Sequence, residues 1–469
     1  MTFYHDTVFL DQFTPISIYQ KIKDIFKDEI TFLFESSVHT ADGNYSYIIV
    51  GDRERIWHKD GKSFYQDEAK EIKQIDSNPF NFLKEYYAKL DTQEYKNISS
   101  KLGVGLIDGF IGNIGYDMVQ QWEPTLQKSM QNLQDDINIA DFDLIRPKMV
   151  LVYCHKNSKL TIVTSLESFK DKISIISDEL HKGYEYIPLK KATILDEGKF
   201  TFSKDEFFDI VAKYKEYIRS GDVFQILMAN RFTQKAKVDH LSFYRALRSK
   251  NPSPYLFLLE YEDFSIAGSS PEVMVRLNEN RILLRPIAGT RKRGDTLEKD
   301  LEMEHELSTD PKEVAEHVML IDLGRNDVGR VAKSGTVEVT DIMRVEKYSH
   351  VMHLVTDVEA VLDEKYDMFD LFSATFTAGT MTGAPKIRAM ELIAQNEKIK
   401  RSFYSGSIAY FGFDGNMDSA ITIRTTLLKD DEVIFQSGAG IVADSIPELE
   451  FLEVKNKLAA NIATLRELG

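Results

Sequence analysis

Residues 203–221 read SKDEFFDIVAKYKEYIRSG, and this stretch predicts a helix that precedes a series of strands and further helices. Ser203 and Glu206 have the spacing of a capping box, the apolar side chains after them recur on one helix face, and Gly221 stands where a helix ends. Three apolar, strand-like runs then alternate with turns, at 255–259, 264–267 and 282–284. Long helices follow, and no Gly-rich dinucleotide motif or P-loop occurs there. The sequence predicts an α+β fold with antiparallel sheets and helices on their outer faces.

Predicted strands dominate the chain upstream of this helix. Two apolar runs, 148–154 and 159–165, are joined by a short polar turn and predict a β-hairpin. The polar stretch 183–198 is the best candidate for a boundary between two regions of the chain. We therefore expect an N-terminal region over residues 1–190 and a second region over residues 200–469.

The composition excludes several classes of protein. The 469 residues contain 58 Lys and Arg against 74 Asp and Glu, a formal net charge of −16, so nucleic acid is not an expected partner. Cys154 is the single cysteine, which excludes a disulfide framework and a cysteine-rich zinc site. No apolar run approaches the ~18 residues of a membrane span, and the N-terminus does not have the pattern of a signal peptide. We expect a cytoplasmic protein with no membrane partner.

Two predicted helices carry paired carboxylates near their starts. Asp310 has the position of an N-cap, and Glu313 and Glu316 lie three residues apart on one face of the helix behind it. The apolar residues of this helix point almost all round, which predicts a buried helix. Glu450 and Glu453 repeat the spacing near the C-terminus. Four facing carboxylates would suit Mg²⁺, whereas solvated surface glutamates are the alternative that spacing leaves open.

Three glycine-containing segments are candidate anion sites, because glycine lets the backbone approach a ligand closely. They are 286–290, 377–386 and 437–440. Arg424 stands in the apolar run that begins at Ala420, and we expect it to lie on a buried strand. A buried guanidinium needs an anion, either a structural acid or a substrate carboxylate. His350 and His353 lack a third ligand at zinc-like spacing, so one of them is a candidate general acid or base, or a packed core histidine.

Five segments in this order resemble the chorismate-utilising enzymes, and most closely the large synthase subunits of anthranilate synthases. They are NPSPYLF (251–257), PIAGTR (286–291), DLGRNDVGR (322–330), APKIRAM (384–390) and GAGIVADS (438–445). The resemblance implies the large fold of that family, with antiparallel sheets packed as a sandwich. It also implies a Mg²⁺-dependent reaction, in which ammonia adds to chorismate, the C4 hydroxyl leaves and pyruvate is eliminated to give anthranilate.

The resemblance assigns roles to particular positions. Glu272 matches the general acid that protonates the departing hydroxyl, and His353, rather than His350, matches the histidine of the pyruvate-elimination step. The Mg²⁺ ligands would be Glu313, Glu316, Glu450 and Glu453. The substrate-binding positions would be Gly289, Thr290, Thr380, Tyr404, Arg424, Gly438 and Gly440.

Three positions separate the branches of the family. Gln225 replaces the lysine base of the water-using synthases, and an amide is a poor base. Ala288 replaces the lysine typical of aminodeoxychorismate synthases. Cys154 lacks the glycine-flanked elbow of a glutaminase nucleophile, so ammonia would come from a separate glutamine amidotransferase subunit. The alternatives are an aminodeoxychorismate or aminodeoxyisochorismate synthase, or a non-catalytic regulatory homologue.

The resemblance finally implies feedback inhibition by tryptophan. Glu35 and Ser36 match one wall of the family's tryptophan site, and the start of the 251–257 segment matches the other. The second set comprises Asn251, Pro252, Ser253, Pro254 and Tyr255. The alternative for Glu35 and Ser36 is a polar pair at the edge of a strand. An effector site is expected to lie apart from the chemistry.

Overall fold

A computed structural model describes residues 2–36, 44–348 and 351–469. The first half of the chain forms β1 (Tyr4–Phe9), α1 (Pro15–Ile25), β2 (Thr31–Glu35), β3 (Tyr45–Lys59), β4 (Lys62–Gln66), β5 (Ile72–Ile75), α2 (Pro79–Tyr87), α3 (Thr92–Leu102), β6 (Gly109–Ile114), α4 (Gln127–Met130), β7 (Phe142–Cys154), β8 (Lys159–Thr164), α5 (Lys170–His181) and β9 (Thr193–Ile194). Short 3₁₀ turns lie at Tyr116–Gln121, Pro124–Leu126 and Glu167–Phe169.

The second half forms β10 (Lys199–Phe200), α6 (Lys204–Arg219), β11 (Gln225–Lys237), α7 (His240–Lys250), β12 (Tyr255–Glu260), β13 (Phe264–Ser270), β14 (Val273–Asn278), β15 (Arg281–Leu284), β16 (Ile287–Lys292), α8 (Leu297–Thr309), α9 (Pro311–Gly329), β17 (Glu338–Lys347), β18 (Val351–Val361), α10 (Met368–Thr375), β19 (Gly383–Ala384), α11 (Lys386–Glu397), β20 (Ser407–Gly412), β21 (Met417–Ile421), β22 (Thr425–Lys429), β23 (Glu432–Ile441) and α12 (Pro447–Leu468). A 3₁₀ turn at Gly379–Met381 precedes β19.

The local signals in the sequence fold as predicted. Helix α6 has a capping box, in which the Glu206 amide donates to the Ser203 hydroxyl and the Ser203 amide donates to the Glu206 carboxylate at 2.9 Å. Strands β7 and β8 form the predicted antiparallel hairpin, although β7 begins earlier, at Phe142. The additional residues of β7 pair with β3 and β6.

The named strands are joined by antiparallel ladders into one continuous network that folds back on itself. One arm runs in the order β11, β23, β22, β13, β12 and β2. The long strands β3 and β7 join this arm to a second one, ordered β6, β20, β21, β14, β15 and β18. Buried side chains from both arms meet in one core, including Phe257 and Ile266 from the first and Val275 and Ile408 from the second. This confirms the predicted α+β class.

Helices cover the outer faces of the strands. A second apolar cluster joins α1, α5, α7 and α12 to the first arm, and a third packs α6 and α11 against β11 and β23. Helix α9 packs against β16 and β18. Helix α12 packs against β23, so α9 and α12, which carry the acidic pairs described below, rest on strands of different arms.

Strands from the two halves of the chain pair directly with each other. Glu35 of β2 is opposite Leu256 of β12, and Ile114 of β6 is opposite Ser407 of β20. The division into residues 1–190 and 200–469 stays a prediction.

Candidate active site

The two acidic helices begin as the sequence indicates. The Asp310 carboxylate accepts hydrogen bonds from the amides of Lys312 (2.9 Å) and Glu313 (3.3 Å), and Pro311 occupies the first turn of α9. The prediction that α9 is buried all round is wrong. Its outer face is open, with Val318 41% exposed, because only one face of the helix packs against β16 and β18.

The carboxylates of α9 and α12 lie within electrostatic range of each other. Burial raises the pKa of Glu316, and the charges of Glu313 on the same helix and Glu453 on the other helix raise it further. Burial also raises the pKa of Glu450; a hydrogen bond from Ser445 opposes this shift, and the Glu453 charge adds to it. The two acidic pairs therefore share one electrostatic environment, which spacing alone did not establish.

The side chains at this place have the donor chemistry that a hard cation needs, although they do not form a closed site. Its side chains offer oxygen ligands, and their mutual repulsion would be relieved by a divalent ion. Gln225 adds an amide that donates to Glu316 at 3.4 Å, while its own Oε1 is buried without a hydrogen-bond partner. In the described ranges, no three His, Cys, Asp or Glu side chains are close enough together to hold a metal ion. The four glutamates are thus electrostatic neighbours rather than a closed ligand set.

Two basic side chains already pair with glutamates of this group. Arg291 donates to Glu313 at 2.9 Å, and Lys457 pairs with Glu453 at 2.7 Å. Lys457 also donates to the Gly438 carbonyl at 2.9 Å. Neither Arg291 nor Lys457 was singled out from the sequence as a site residue. The spacing of Lys457, four residues after Glu453 on a helix, is the signal that indicates the second pair.

Glu272 is a buried carboxyl between β13 and β14. Its side chain is enclosed, with the residue 7% exposed, and Thr380 Oγ1 donates to its Oε1 at 3.1 Å. Burial raises the pKa of Glu272 to about 8, against the opposing effects of Thr380, Arg424 and Lys457. Near neutral pH this carboxyl is therefore mostly protonated and holds a proton that it can donate.

His353 lies on β18 and is held by the 286–290 segment. Its Nδ1 lies 2.9 Å from the Gly289 carbonyl and 3.1 Å from Thr290 Oγ1. A carbonyl only accepts, so we assign the proton to Nδ1 and the lone pair to Nε2. Burial lowers the pKa of His353 and keeps the ring neutral. His350 lies outside the described residues.

Gly289 connects His353 to the acidic helices. Its φ of +64° is in the left-handed region, and an added Cβ would lie 2.9 Å from Glu313 Oε2. The residue therefore brings its backbone against Glu313 while its carbonyl orients the histidine. Only glycine accommodates both the conformation and the close approach.

Arg424 presents a half-buried guanidinium in the turn between β21 and β22, and the prediction that it lies on a strand is wrong. Its φ of +50° is rare for a residue with a side chain and interrupts the extended backbone between β21 and β22. Burial lowers its pKa, while the charges of Tyr348 and Glu272 raise it. The Arg424 side chain forms no hydrogen bond or ion pair with any residue in the described ranges. Its guanidinium could therefore bind the carboxylate of a ligand.

The remaining predicted substrate positions differ in how closely they join this group. Gly440 faces Gln225 across the β11–β23 ladder, where a Cβ would collide with the Gln225 amide. Tyr404 lies in a buried turn, and burial raises its pKa. The charged groups that act on Tyr404 are Arg401 and Glu397, neither of which belongs to the predicted site. The structure therefore brings Glu272, Thr380, Arg424, His353 and the glycine backbones into one neighbourhood, whereas Tyr404 stays a prediction.

The predicted effector residues border a separate cavity of about 470 Å³. The members that line it are Glu35, Ser36, Pro254 and Tyr255. Glu35 itself is held by Tyr244 (2.7 Å) and Arg248 (2.9 Å), and burial raises its pKa.

Asn251, Pro252 and Ser253 are not part of the cavity lining. They lie behind the wall, where Ser269 Oγ donates to the Asn251 carbonyl and lies 2.9 Å from Ser253 Oγ. Binding of tryptophan by any of these residues stays a prediction.

The family follows from this geometry and from comparison with known proteins. Residues 31–463 match the model of the chorismate binding enzymes, and the chain belongs to this family. Anthranilate synthase component 1 from Aquifex aeolicus is 40% identical over 96% of this chain and 92% of that protein. The protein of the same name from Acetivibrio thermocellus is 37% identical, over 98% and 94% respectively.

Two solved structures share the architecture. Anthranilate synthase component I from Streptococcus pneumoniae TIGR4 is similar with a TM-score of 0.77 and 30% identity, covering 97% of this chain and 99% of that chain. The menaquinone-specific isochorismate synthase from Escherichia coli, 16% identical, has a TM-score of 0.72 over 99% and 95% of the two chains and shares the fold. The predicted family and fold class are confirmed. Within the described ranges, no helix is long and apolar enough to cross a membrane.

Proposed function

We propose that this chain is an anthranilate synthase subunit that converts chorismate and ammonia into anthranilate, pyruvate and water. The amine nitrogen would form a bond to ring carbon C2, the C4 hydroxyl would leave as water, and the enolpyruvyl group would leave as pyruvate. The proposal is supported by relatives named anthranilate synthase component 1 at 37–40% identity over nearly the whole chain. It explains why one neighbourhood contains an acid, a neutral histidine and an arginine that has no ion-pair partner among the residues the structure describes.

The observation that carries the proposal is the protonated state of Glu272. A hydroxyl leaves as water only if it receives a proton, and a carboxyl with a pKa near 8 still carries one at neutral pH. Thr380 fixes the orientation of that carboxyl. Arg424 would bind a substrate carboxylate close to it, since its charge reaches Glu272.

His353 would accept the proton that is lost when pyruvate leaves. With Nδ1 committed to the Gly289 carbonyl, Nε2 is the atom that accepts. The ring is neutral near pH 7 because burial lowers its pKa, so its base form is already populated. Acid and base are thus separate groups whose pKa values burial moves in opposite directions.

Glutamates of α9 and α12 would hold a divalent cation, which we assign as Mg²⁺. They are Glu313, Glu316, Glu450 and Glu453. When bound, the cation would neutralise the acidic pairs and anchor the ring carboxylate of the substrate. The backbones of Gly289, Gly438 and Gly440 would contact the substrate beside these helices. Thr290 and Tyr404 complete the proposed substrate contacts.

The nucleophile would be external ammonia. Gln225 and Ala288 stand where related enzymes carry lysines, and neither an amide nor a methyl group activates water or attacks carbon. Cys154 ends the hairpin strand β7 and is a free thiol without a strand-to-helix elbow. We therefore propose a separate glutamine amidotransferase subunit as the ammonia source. A cytoplasmic location is part of the same proposal.

The 470 Å³ cavity supports tryptophan as a feedback inhibitor. Aromatic and apolar side chains form much of its lining, and Glu35 and Ser36 are among its polar residues. In this reading, residues 1–190 contribute the effector site and residues 200–469 contribute the catalytic site.

An assay of the purified chain tests the function. Chorismate, Mg²⁺ and an ammonium salt are incubated with the chain, and anthranilate fluorescence is followed with and without tryptophan. We expect a magnesium-dependent signal that tryptophan suppresses, and no signal when glutamine alone replaces ammonium. Consumption of chorismate without anthranilate would favour an aminodeoxy product, and no consumption would contradict an enzymatic role.

A further inference from the structure

Tyr348 lies between the effector cavity and the catalytic group. Its side chain lines the same cavity as Glu35 and Ser36, at the wall formed by the end of β17. On its other side, the Tyr348 ring meets the ring of His353 edge-on, with centroids 5.8 Å apart and planes at 61°. One side chain therefore faces both sites, and no motif in the sequence indicates this role.

Tyr348 is anchored at three atoms. Its hydroxyl donates to Glu346 Oε2 at 2.8 Å, its amide donates to the Val351 carbonyl at 2.8 Å, and its carbonyl accepts from Arg293 at 2.7 Å. Glu346 is itself fixed by Arg344, whose Nη2 donates to Glu346 Oε1 at 2.7 Å. The ring orientation thus depends on a hydrogen bond made within the cavity wall.

The β17–β18 ladder strengthens the connection. Glu346, which anchors the Tyr348 hydroxyl, pairs in register with His353 itself. The same cavity is lined by Pro271 and Val273, the two neighbours of Glu272 along the chain. A ligand that moves this wall would therefore displace groups that contact the proposed acid and base.

We propose that Tyr348 is a positioning residue, which couples occupation of the effector cavity to the placement of His353. The inference rests on the proposed function and adds the element that joins its two sites. With the cavity empty, the hydroxyl on Glu346 holds the ring edge against His353. A bound effector shifts the ring or the Glu346 anchor, and His353 loses its orientation.

The test is a linkage measurement, because reciprocal coupling does not depend on the absolute affinity for either ligand. Tryptophan binding is titrated by calorimetry with Mg²⁺, with and without saturating chorismate, and with ammonium omitted. The ratio of the two dissociation constants is the coupling factor. We expect at least about fivefold for the wild type, below about twofold for Tyr348→Leu, and an intermediate value for Tyr348→Phe.

Tyr410→Phe is the matched control. Tyr410 lines the same cavity from β20, and within the described ranges His353 makes its ring contact and hydrogen bonds with other residues, so this variant should keep the wild-type coupling factor. Ammonia-dependent kinetics supply a second readout. Tyr348→Leu should also lower kcat about tenfold, because the ring orients the histidine that acts on the bound substrate.

The outcomes separate the two proposals. A wild type that makes no anthranilate overturns the proposed function and this inference with it. A wild type that makes anthranilate but does not bind tryptophan overturns the effector site and the coupling. Variants of Tyr348 that retain the wild-type coupling factor and kcat, in an enzyme that is active and inhibited, overturn the role of Tyr348 alone.

Discussion

Thr380 donates a hydrogen bond to Glu272, with 3.1 Å between Oγ1 and Oε1, and so fixes a carboxyl that burial keeps protonated. The buried Asp108 carboxylate, by contrast, is compensated by a cation, in a fork with Arg146. Glu272 has a hydroxyl donor instead. This difference in partner, more than the identity of the residue, distinguishes an acid catalyst from a structural ion pair.

Glu272→Gln should remove the acid while preserving the fold. The amide is close in size and is neutral, as the protonated carboxyl is, so the thermal midpoint should change little. We expect kcat to fall by a factor of about 10²–10⁴ in the ammonia-dependent reaction. Activity within a few-fold of the wild type, in a protein whose circular dichroism is unchanged, would contradict the assignment.

The pH dependence should show an alkaline limb set by Glu272. The acid works only when protonated, so kcat/KM should fall above about pH 8, with a slope near one log unit per pH unit. Thr380 stabilises the charged carboxylate, so Thr380→Val should raise the pKa and move this limb to higher pH. A limb that stays in place or moves to lower pH in Thr380→Val would show that another group titrates.

Local features of the chain were predictable from the sequence. The capping box of α6, the β7–β8 hairpin and the N-cap at Asp310 depend on residues within a few positions of one another. The five family segments also indicated the fold, and the family match confirms it. The prediction that α9 is buried on all sides was wrong. Apolar residues on every side of a helix do not determine which sides pack against other elements.

The electrostatic state of the site was not predictable in this way. The charge of Glu453 raises the pKa of Glu316 only because α9 and α12 pack near each other, although the two residues are more than a hundred positions apart in the chain. The pKa of Glu272 depends on enclosure by several elements, and the position of Tyr348 between two sites depends on the β17–β18 ladder. Spacing identifies candidate groups, whereas their protonation follows from long-range packing.

Substitution of Gly289 should uncouple His353 from the acidic helices. Gly289→Ala places a Cβ 2.9 Å from Glu313 Oε2 and 2.8 Å from Leu307 Cδ1, at a φ of +64°. Gly335→Ala is the matched control, since Gly335 has a φ of +79° and nothing within 4 Å of an added Cβ. Both variants should lose roughly 1 kcal/mol of unfolding free energy from backbone strain.

Only the first of these variants should lose function. We expect Gly289→Ala to lower kcat/KM for chorismate by at least about tenfold, because a small misplacement near the reacting groups is costly. Gly335→Ala should remain within about twofold of the wild type. Equal activities in the two variants would show that the approach of Gly289 to Glu313 is unimportant.

Removal of one buried carboxylate should weaken metal dependence selectively. Glu450→Gln should raise the Mg²⁺ concentration for half-maximal activity by at least about tenfold, whereas the exposed Glu448→Gln on the same helix turn should leave it unchanged. The measurement is a magnesium titration of anthranilate formation at fixed chorismate. The same magnesium dependence in both variants would remove Glu450 from the proposed ligand set.

The origin of the product nitrogen tests the central claim most directly. The chain is incubated with chorismate, Mg²⁺ and nitrogen-15-labelled ammonium, and the products are identified by mass spectrometry. We predict anthranilate that carries one labelled nitrogen, formed in equal amount with pyruvate, and no such product from Glu272→Gln. A hydroxylated or unaromatised product, or unconsumed chorismate, would contradict the account.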